Sequence, residues 1–377
     1  MTTTAPRVLI VANVSWFFVS HRLPLALGAR AAGYDVHVAA SPDDSTRLLA
    51  DAGIPFHPIP LQRGATDIGR DVTTVRALTR LYRELRPALV HHVTLKPVLF
   101  GGIAARLAGV PHVVSAIAGM GSMFLAEGTA ARARAAIVRR LLRMATGRPG
   151  DWFIFQNEAD RAEFAANGIG RPGNAVLIAG SGVDLDCFRP SPEPPGVPLV
   201  VLPARMIGDK GIREFVAAAR ALRARGVAAR FALVGGEDSD NPSSLARPEL
   251  DALVSEGAVE WWGHRADMPA VLRESHVVCL PSYREGMPKA LLEAAAAGRP
   301  VVTTDVPGCR DCVEPGVSGL LVPARDAGAL ADALAALLAD PSRRASMGRA
   351  GRARAERDFG IDAVVGDTLA LYRRCLG

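Results

Sequence analysis

Short, unbroken β-prone apolar runs recur along the chain, and a stretch of helical pattern follows nearly every one. Residues 8–12, Val-Leu-Ile-Val-Ala, show no alternation of polar and apolar side chains, as expected of a strand buried on both faces of a parallel sheet. A helical stretch at 21–32 is stopped by Gly33, and 36–39 (Val-His-Val-Ala) reads as the next strand. The rhythm continues with a helix at 72–85, a strand at 88–91, a helix at 97–108 ended by Gly109, and a strand at 112–115. Residues 152–155 then read as strand, 157–167 as helix and 175–178 as strand. Strands alternating with helices imply βαβ units with right-handed crossovers.

The segment 191–198, Ser-Pro-Glu-Pro-Pro-Gly-Val-Pro, has the composition of a linker. After it the rhythm restarts, with strands at 199–202, 231–234, 277–280, 301–303 and 320–322 and a helix at 212–225. A length of 377 residues suits two or three domains. The expectation is an α/β chain of two facing doubly wound, Rossmann-like domains, 1–190 and 199–360, joined by the linker 191–198. A C-terminal helix at 361–377 is expected to pack back on the first domain. Ligands of such sheets bind outside the carboxyl ends of the strands, here in the cleft between the halves.

Hydrophobic residues at 49% exclude global disorder, and aromatics at 5% suit helix–sheet layers better than a stacking platform for nucleic acid. The net charge of +6 invites an anionic partner: phosphate groups, anionic lipid or nucleic acid. Five cysteines, Cys187, Cys279, Cys309, Cys312 and Cys375, form an odd, scattered set, against a disulfide framework. Cys309 and Cys312 have the spacing of half a zinc site without a second pair, and read as structural or incidental thiols. The apolar run 8–19 is too short to span a bilayer and lacks the flanks of a signal peptide, so the expected location is cytoplasmic.

The densest chemistry lies in 280–298. Leu280-Pro-Ser-Tyr-Arg-Glu285-Gly286-Met287-Pro288 follows a strand and leads into a strongly helical stretch, with Pro288 suited to the first helical position. A helix N-terminus, with its unpaired N–H groups and positive dipole end, seats a diphosphate. Glu285 beside that seat can face a donor sugar, and Glu293, inside the helix, can accept from ribose hydroxyls; the plainer reading is an exposed Glu pair. Arg205 and Lys210 follow the first strand of the second half. They can neutralise charge developing on a departing diphosphate, or form a solvated basic loop. Gly263-His264-Arg265 is a further turn at that sheet edge and can hold the base. Asp238-Ser-Asp240 sits in a polar loop and reads as solvated rather than as a metal cage.

Together, Arg205…Lys210-Gly211, Glu285-Gly-Met-Pro-Lys-Ala-Leu-Leu-Glu293 and Ala297-Gly298-Arg-Pro-Val-Val302 resemble the signature of family 4 retaining glycosyltransferases. The similarity extends to Ser181-Gly-Val-Asp184 and Gly316-Val-Ser-Gly-Leu-Leu-Val-Pro323, over nearly the whole chain. The resemblance implies the two-domain GT-B fold and transfer of a sugar from a nucleoside diphosphate with retention of configuration. It also implies no cofactor and no bound metal. By position, Arg205 and Lys210 contact the diphosphate, Glu285 lies near the donor sugar with the backbone of Gly286 and Met287, and Glu293 contacts the ribose. UDP is favoured by resemblance alone.

The first half departs from the common pattern. Asn13-Val-Ser-Trp-Phe-Phe-Val-Ser-His21-Arg22 stands where many members carry a Gly-Gly turn, and Ala118 where many carry a His. Both departures resemble a subgroup acting on polyprenyl-diphosphate-linked sugars, such as bacterial N-acetylgalactosaminyltransferases of glycan assembly. Gly119 and Gly121 then let backbone approach donor or acceptor closely, or simply serve a turn with positive φ. His21, opening the first helix, is a candidate for binding or proton handling, or a capping histidine. His92 and Lys96 follow a strand end, with Lys96 placed for an acceptor phosphate. Trp16, with Phe17 and Phe18, offers an apolar contact to a lipid chain. Arg132, Arg134, Arg139, Arg140, Arg143 and Arg148 fall in one predicted helix, either an anionic-membrane contact or an ordinary basic outer face. Two rivals share some of these features: a UDP-sugar epimerase of the same architecture and a non-catalytic carbohydrate-binding protein. No nucleic-acid recognition motif is present, and no G-x-G-x-x-G follows the first strand of either half.

Overall fold

The structure is a computed structural model that describes residues 5–61, 68–119, 129–171, 173–238, 241 and 243–377. The chain divides into two compact units: Met1–Ser181 with Asp362–Gly377, and Gly182–Ile361.

The first unit holds strands β1 (Arg7–Val14), β2 (Asp35–Ser41), β3 (Phe56–Pro58), β4 (Leu89–Val93), β5 (His112–Ile117), β6 (Asp151–Phe155) and β7 (Ala175–Leu177). They form one parallel sheet in the order β3-β2-β1-β4-β5-β6-β7. Alternate residues of β1 enter different cores. Val8, Ile10 and Ala12 pack with Phe18 and Leu25 of the helix Ser15–Ala31 and with Val364, Leu369 and Tyr372 of the helix Ile361–Leu376. Leu9 and Val11 pack with Leu78 and Tyr82 of the helix Ile68–Leu85 and Ala104 of the helix Gly102–Ala108. Both faces are therefore covered, which is why the strand's sequence is an unbroken apolar run.

The second unit holds β8 (Leu199–Pro203), β9 (Arg230–Val234), β10 (Glu260–Trp261), β11 (Val277–Leu280), β12 (Val301–Thr304) and β13 (Gly319–Val322). Their order is β10-β9-β8-β11-β12-β13, again all parallel. Val200, Leu202, Val278 and Val302 are fully buried, as are Phe215 of the helix Ile212–Ala224 and Leu291 of the helix Lys289–Ala296. Each sheet has one place where its order reverses direction: between β1 and β4 in the first, between β8 and β11 in the second. The loops leaving those strand ends diverge and open a crevice.

Several local features depart from the sequence expectation for definite reasons. The first helix begins at Ser15, not near His21. Its entry is fixed from a distance, because the Asp43 carboxylate after β2 accepts the Trp16 N–H at 2.9 Å while the Asp43 N–H reaches Ser15 Oγ at 3.0 Å. The expected helix at 97–108 opens with a wider π-helical turn, Pro97–Gly101. A Cβ on Gly101 would lie 2.3 Å from His92 Nε2, so glycine is what lets this turn press on the strand. Segment 191–198 lies within the second unit. Arg344 grips Glu193 with two bonds of 2.8 Å, Arg299 bonds Ser191 Oγ at 2.8 Å, and His276 Nε2 meets the Pro194 carbonyl at 3.0 Å.

The centre of the first sheet is polar as well as buried. His91 and His92 are both fully enclosed; His91 Nδ1 lies 2.6 Å from Tyr372 Oη and His92 Nε2 lies 2.9 Å from Tyr82 Oη. Burial, then the charge of Arg22, pushes His91 far down, and burial, then Arg148, pushes His92 down to about 3. Both imidazoles are neutral in the fold, so the unfolded chain binds more protons once the pH falls below about 6.5. Stability is therefore complete above that pH and declines below it, each buried histidine removing about 1.4 kcal/mol per pH unit. Urea unfolding at pH 7 and pH 5 should show the midpoint falling; equal midpoints would contradict the neutral-core assignment.

Candidate functional site

The second sheet's switch point is bounded by residues 204–210, after β8, and 281–288, after β11. Neighbouring strands anchor the first of these loops. Ala204 N–H donates to Val234 O at 3.0 Å, Met206 N–H to Gly236 O at 2.9 Å and Gly208 N–H to Ser243 O at 2.7 Å. The two loops are also bound to each other, with Tyr283 N–H donating to Asp209 O at 2.9 Å. Gly211 has φ +71, and a Cβ there would sit 2.1 Å from Pro281 O, so only glycine permits this closeness.

Across this crevice Lys210 Nζ donates to Glu285 Oε1, the two side chains being 17% and 13% exposed. Ser282 Oγ donates to the same carboxylate oxygen at 2.7 Å, and the Ser282 carbonyl accepts from Thr304 Oγ1. The carboxylate is thus fixed by a cation from one side of the switch point and a buried hydroxyl from the other. Tyr283 supports the loop from behind: its hydroxyl donates to Glu214 Oε1 at 2.7 Å and the Arg325 guanidinium stands 4.2 Å from its ring centre. Burial, then the bond to Glu214, pushes the Tyr283 hydroxyl up to about 12.

Arg205 pairs with Asp238. Asp238 is buried and its N–H donates to Ser244 Oγ at 3.3 Å, which corrects the expectation of a solvated loop at this residue. The correction follows from topology, because β9 is the neighbour of β8 and the loop leaving it falls beside Arg205. Asp240 lies outside the described residues. The signal for this contact in the sequence is the place of Asp238 just beyond the end of β9. Arg205 remains 38% exposed, so its guanidinium is held yet accessible.

Pro288 proves to be the residue capping the helix Lys289–Ala296 rather than the first within it; its carbonyl accepts from Leu291 N–H at 3.0 Å. Gly286 and Pro288 are buried and Met287 is half-buried. Glu293 is not a solvated partner of Glu285. It is 7% exposed, Lys289 Nζ stands 3.3 Å away, and burial raises its carboxyl above the ordinary value against the pull of Lys289. His264 is exposed; its Cβ would lie 3.6 Å from a Cβ on Gly236. The Arg265 guanidinium lies 5.8 Å from the Trp262 ring centre.

In the first unit the candidates separate. His92 has no exposed surface and serves the core, so its expected acceptor contact is withdrawn. His21 lies inside the first helix and stacks on Phe17 with ring centres 4.3 Å apart, while its Nδ1 lies 3.2 Å from Phe17 O. Trp16 and Lys96 are half-buried, and burial lowers the Lys96 ammonium against the charge of Asp71. Gly119 has φ +99, a conformation that favours glycine. Gly121 lies outside the described residues, as do the side chains of Arg132 and Arg134. Arg143 gives its Nε to Asn167 O at 2.6 Å, and Arg148 stands beyond the helix Thr129–Ala145, 3.2 Å from Asp151.

Among the described residues no helix is long and apolar enough to cross a membrane, and no group of three or more His, Cys, Asp or Glu side chains is arranged to hold a metal ion. A family model for glycosyl transferases group 1 matches residues 197–340, and one for glycosyl transferase 4-like domains matches residues 7–147. The N,N'-diacetylbacillosaminyl-diphospho-undecaprenol alpha-1,3-N-acetylgalactosaminyltransferase of Campylobacter jejuni is 28% identical over 342 residues, covering 87% of this chain and 88% of that one. Among solved structures, sucrose-phosphate synthase from Thermosynechococcus elongatus aligns with a TM-score of 0.78 at 22% identity, over 98% of both chains. HepE of Anabaena in complex with UDP-glucose aligns with a TM-score of 0.76 at 19% identity, over 97% of this chain and 99% of that one.

The Lys210–Glu285 pair gives a stability test. Removing one partner strands a mostly buried charge, whereas removing both does not. In a double-mutant cycle, the double variant Lys210→Met with Glu285→Gln should lose less stability than the sum of the two single losses, with a coupling of about 1–3 kcal/mol. Additive losses would show the pair to be energetically idle.

Proposed function

Because the chain belongs to the group 1 glycosyltransferases, with a glycosyl transferase 4-like domain and the GT-B fold, we propose that it is a metal-independent, retaining enzyme of family 4. It moves a sugar from a nucleoside-diphosphate donor, a UDP-sugar such as a UDP-N-acetylhexosamine, to a polyprenyl-diphosphate-linked saccharide. The observation that supports the reading is the Lys210–Glu285 pair across the second switch point, ahead of the helix Lys289–Ala296, with Arg205 on the same loop as Lys210.

On this reading the donor diphosphate lies over that crevice. Arg205 and Lys210 bind its oxygens and stabilise the negative charge that grows as the sugar–phosphate bond breaks. These fixed cations supply the stabilisation for which other transferases recruit a divalent ion. Glu285, with the backbone of Gly286 and Met287, orients the donor sugar, and Glu293 takes the ribose hydroxyls. His264 and Arg265 border the base. The acceptor attacks on the face from which the diphosphate departs, and the departing oxygen takes the acceptor's proton, so the anomeric configuration is retained. UDP as the nucleotide gains support from HepE, whose solved complex contains UDP-glucose. The acceptor class gains support from the Campylobacter jejuni relative, named for a diphospho-undecaprenol saccharide.

A lipid-linked acceptor places the enzyme at the cytoplasmic face of the membrane. In the helix Thr129–Ala145, Val138 and Leu142 are buried while Ile137 (59% exposed) and Met144 (57% exposed) lie on one outer face with exposed Arg140. Such a face suits an anionic bilayer surface. Vesicles containing phosphatidylglycerol should sediment the protein at low salt, and Arg140→Glu with Ile137→Glu should abolish this. Equal sedimentation of wild type and variant would remove this helix from the contact.

Transfer is tested with a panel of nucleotide sugars and undecaprenyl-diphosphate saccharides, the product anomer being read by NMR and the assay repeated with EDTA. Arg205→Ala and Lys210→Ala should each lower kcat by about 100-fold or more, as loss of a transition-state charge partner does. Wild-type levels of transfer in both variants would favour a binding protein. Donor conversion that needs no acceptor would favour the epimerase.

A further inference from the structure

The first sheet's switch point carries a polar feature that the donor reading does not use. Asn13 and Thr94 each lie two residues beyond the last register pair of β1 and β4, Val11 with His92. The chain departs from this point toward opposite faces of the sheet: the helix after β1 joins one core cluster through Phe18, the turn after β4 joins the other through Val98. Asn13 Oδ1 and Thr94 Oγ1 are buried, and neither has a hydrogen-bond partner among the described residues. Buried polar atoms are normally paired, so two orphans at one switch point require an explanation.

The backbone at both residues is special. Thr94 has φ +75, a genuine outlier for a β-branched side chain. Two bonds enforce it: Thr94 N–H donates to Ala116 O at 3.0 Å, and Thr94 O accepts from Val98 N–H at 3.1 Å. On β1 the register against β2 shifts between Val11 and Val14, the stretch that contains Asn13. Bulges and strained backbone both re-aim side chains, and both cluster at ligand sites.

We propose that Asn13 and Thr94 are acceptor-specificity residues that hydrogen-bond hydroxyls of the acceptor saccharide at the β1–β4 switch point. This inference rests on the proposed transfer to a saccharide. A hydroxyl is the chemical match because it donates to Asn13 Oδ1 and also accepts from the Thr94 hydroxyl. A hydroxyl pairs with the Asn13 amide in either orientation, whereas an ionised phosphate oxygen, which has no hydrogen to donate, pairs with only one.

Asn13→Ala and Thr94→Val, made in the full chain, separate this role from a structural one. Each removes an unsatisfied buried group, so thermal stability should hold or rise. Acceptor KM should rise about tenfold or more, because the hydroxyl loses its partner. Thr94→Ser, which keeps the hydroxyl, should retain the wild-type value. Titration of methyl N-acetyl-hexosaminides should show the same weakening, with UDP affinity equal in all forms. An unchanged acceptor KM or saccharide affinity in both variants overturns the proposal, as does a wild type that binds no saccharide. Loss of stability in both, with no restoration by Thr94→Ser, also overturns it. Failure of wild type to transfer from any nucleotide sugar, while it still binds saccharide through these residues, refutes the enzymatic reading instead.

Discussion

The second unit is organised around the ion pair of Lys210 and Glu285. The two residues leave the sheet from β8 and β11, neighbours whose following loops diverge, and the pair ties those loops across the gap. Much of the surrounding structure serves to hold it. Gly211 admits the close approach of the Pro281 carbonyl, and Ser282 fixes the shared carboxylate oxygen. Gly308 allows the Glu285 carbonyl to sit where a Cβ would come within 2.3 Å. A lysine alone in this crevice would wander, and a carboxylate alone would repel a diphosphate. On the proposed function, the pairing orients each side chain before a donor arrives, the preorganisation that electrostatic catalysis depends on.

The first unit uses the same topology with different chemistry. Its central strand β4 contributes His91 and His92 to opposite faces, each meeting a buried tyrosine hydroxyl. Tyr372 comes from the C-terminal helix, so the last residues of the chain complete the core of the first unit. Arg22 is buried among them, donating to Gly180 O at 3.3 Å, and burial lowers its guanidinium to about 10. Such buried polar groups fix one arrangement of strand and helices more sharply than apolar packing does, because misalignment leaves them unpaired.

Much of this was legible from residue order alone, for a physical reason. Strands covered on both faces must be continuously apolar, so runs such as 8–12 and 199–202 announced the two sheets. Glu285, Arg205 and Lys210 stand out as candidates because a strand end followed by glycine and charge is where such sheets bind ligands. What escaped was set by contacts distant in sequence. Asp43 fixes the start of the first helix, Asp238 folds onto Arg205, and His92 sinks beneath Gly101. Strand β3, three residues long, has too little pattern to be noticed and exists because β2 offers it an edge.

Binding of a nucleoside diphosphate at the β8–β11 switch point of the second unit is tested, without any substitution, by hydrogen–deuterium exchange with and without UDP. Residues 204–211 and 281–293 should gain protection when UDP is added, because their backbone amides and fixed side chains close on the diphosphate. Protection elsewhere in the chain, with these two segments unchanged, would contradict it.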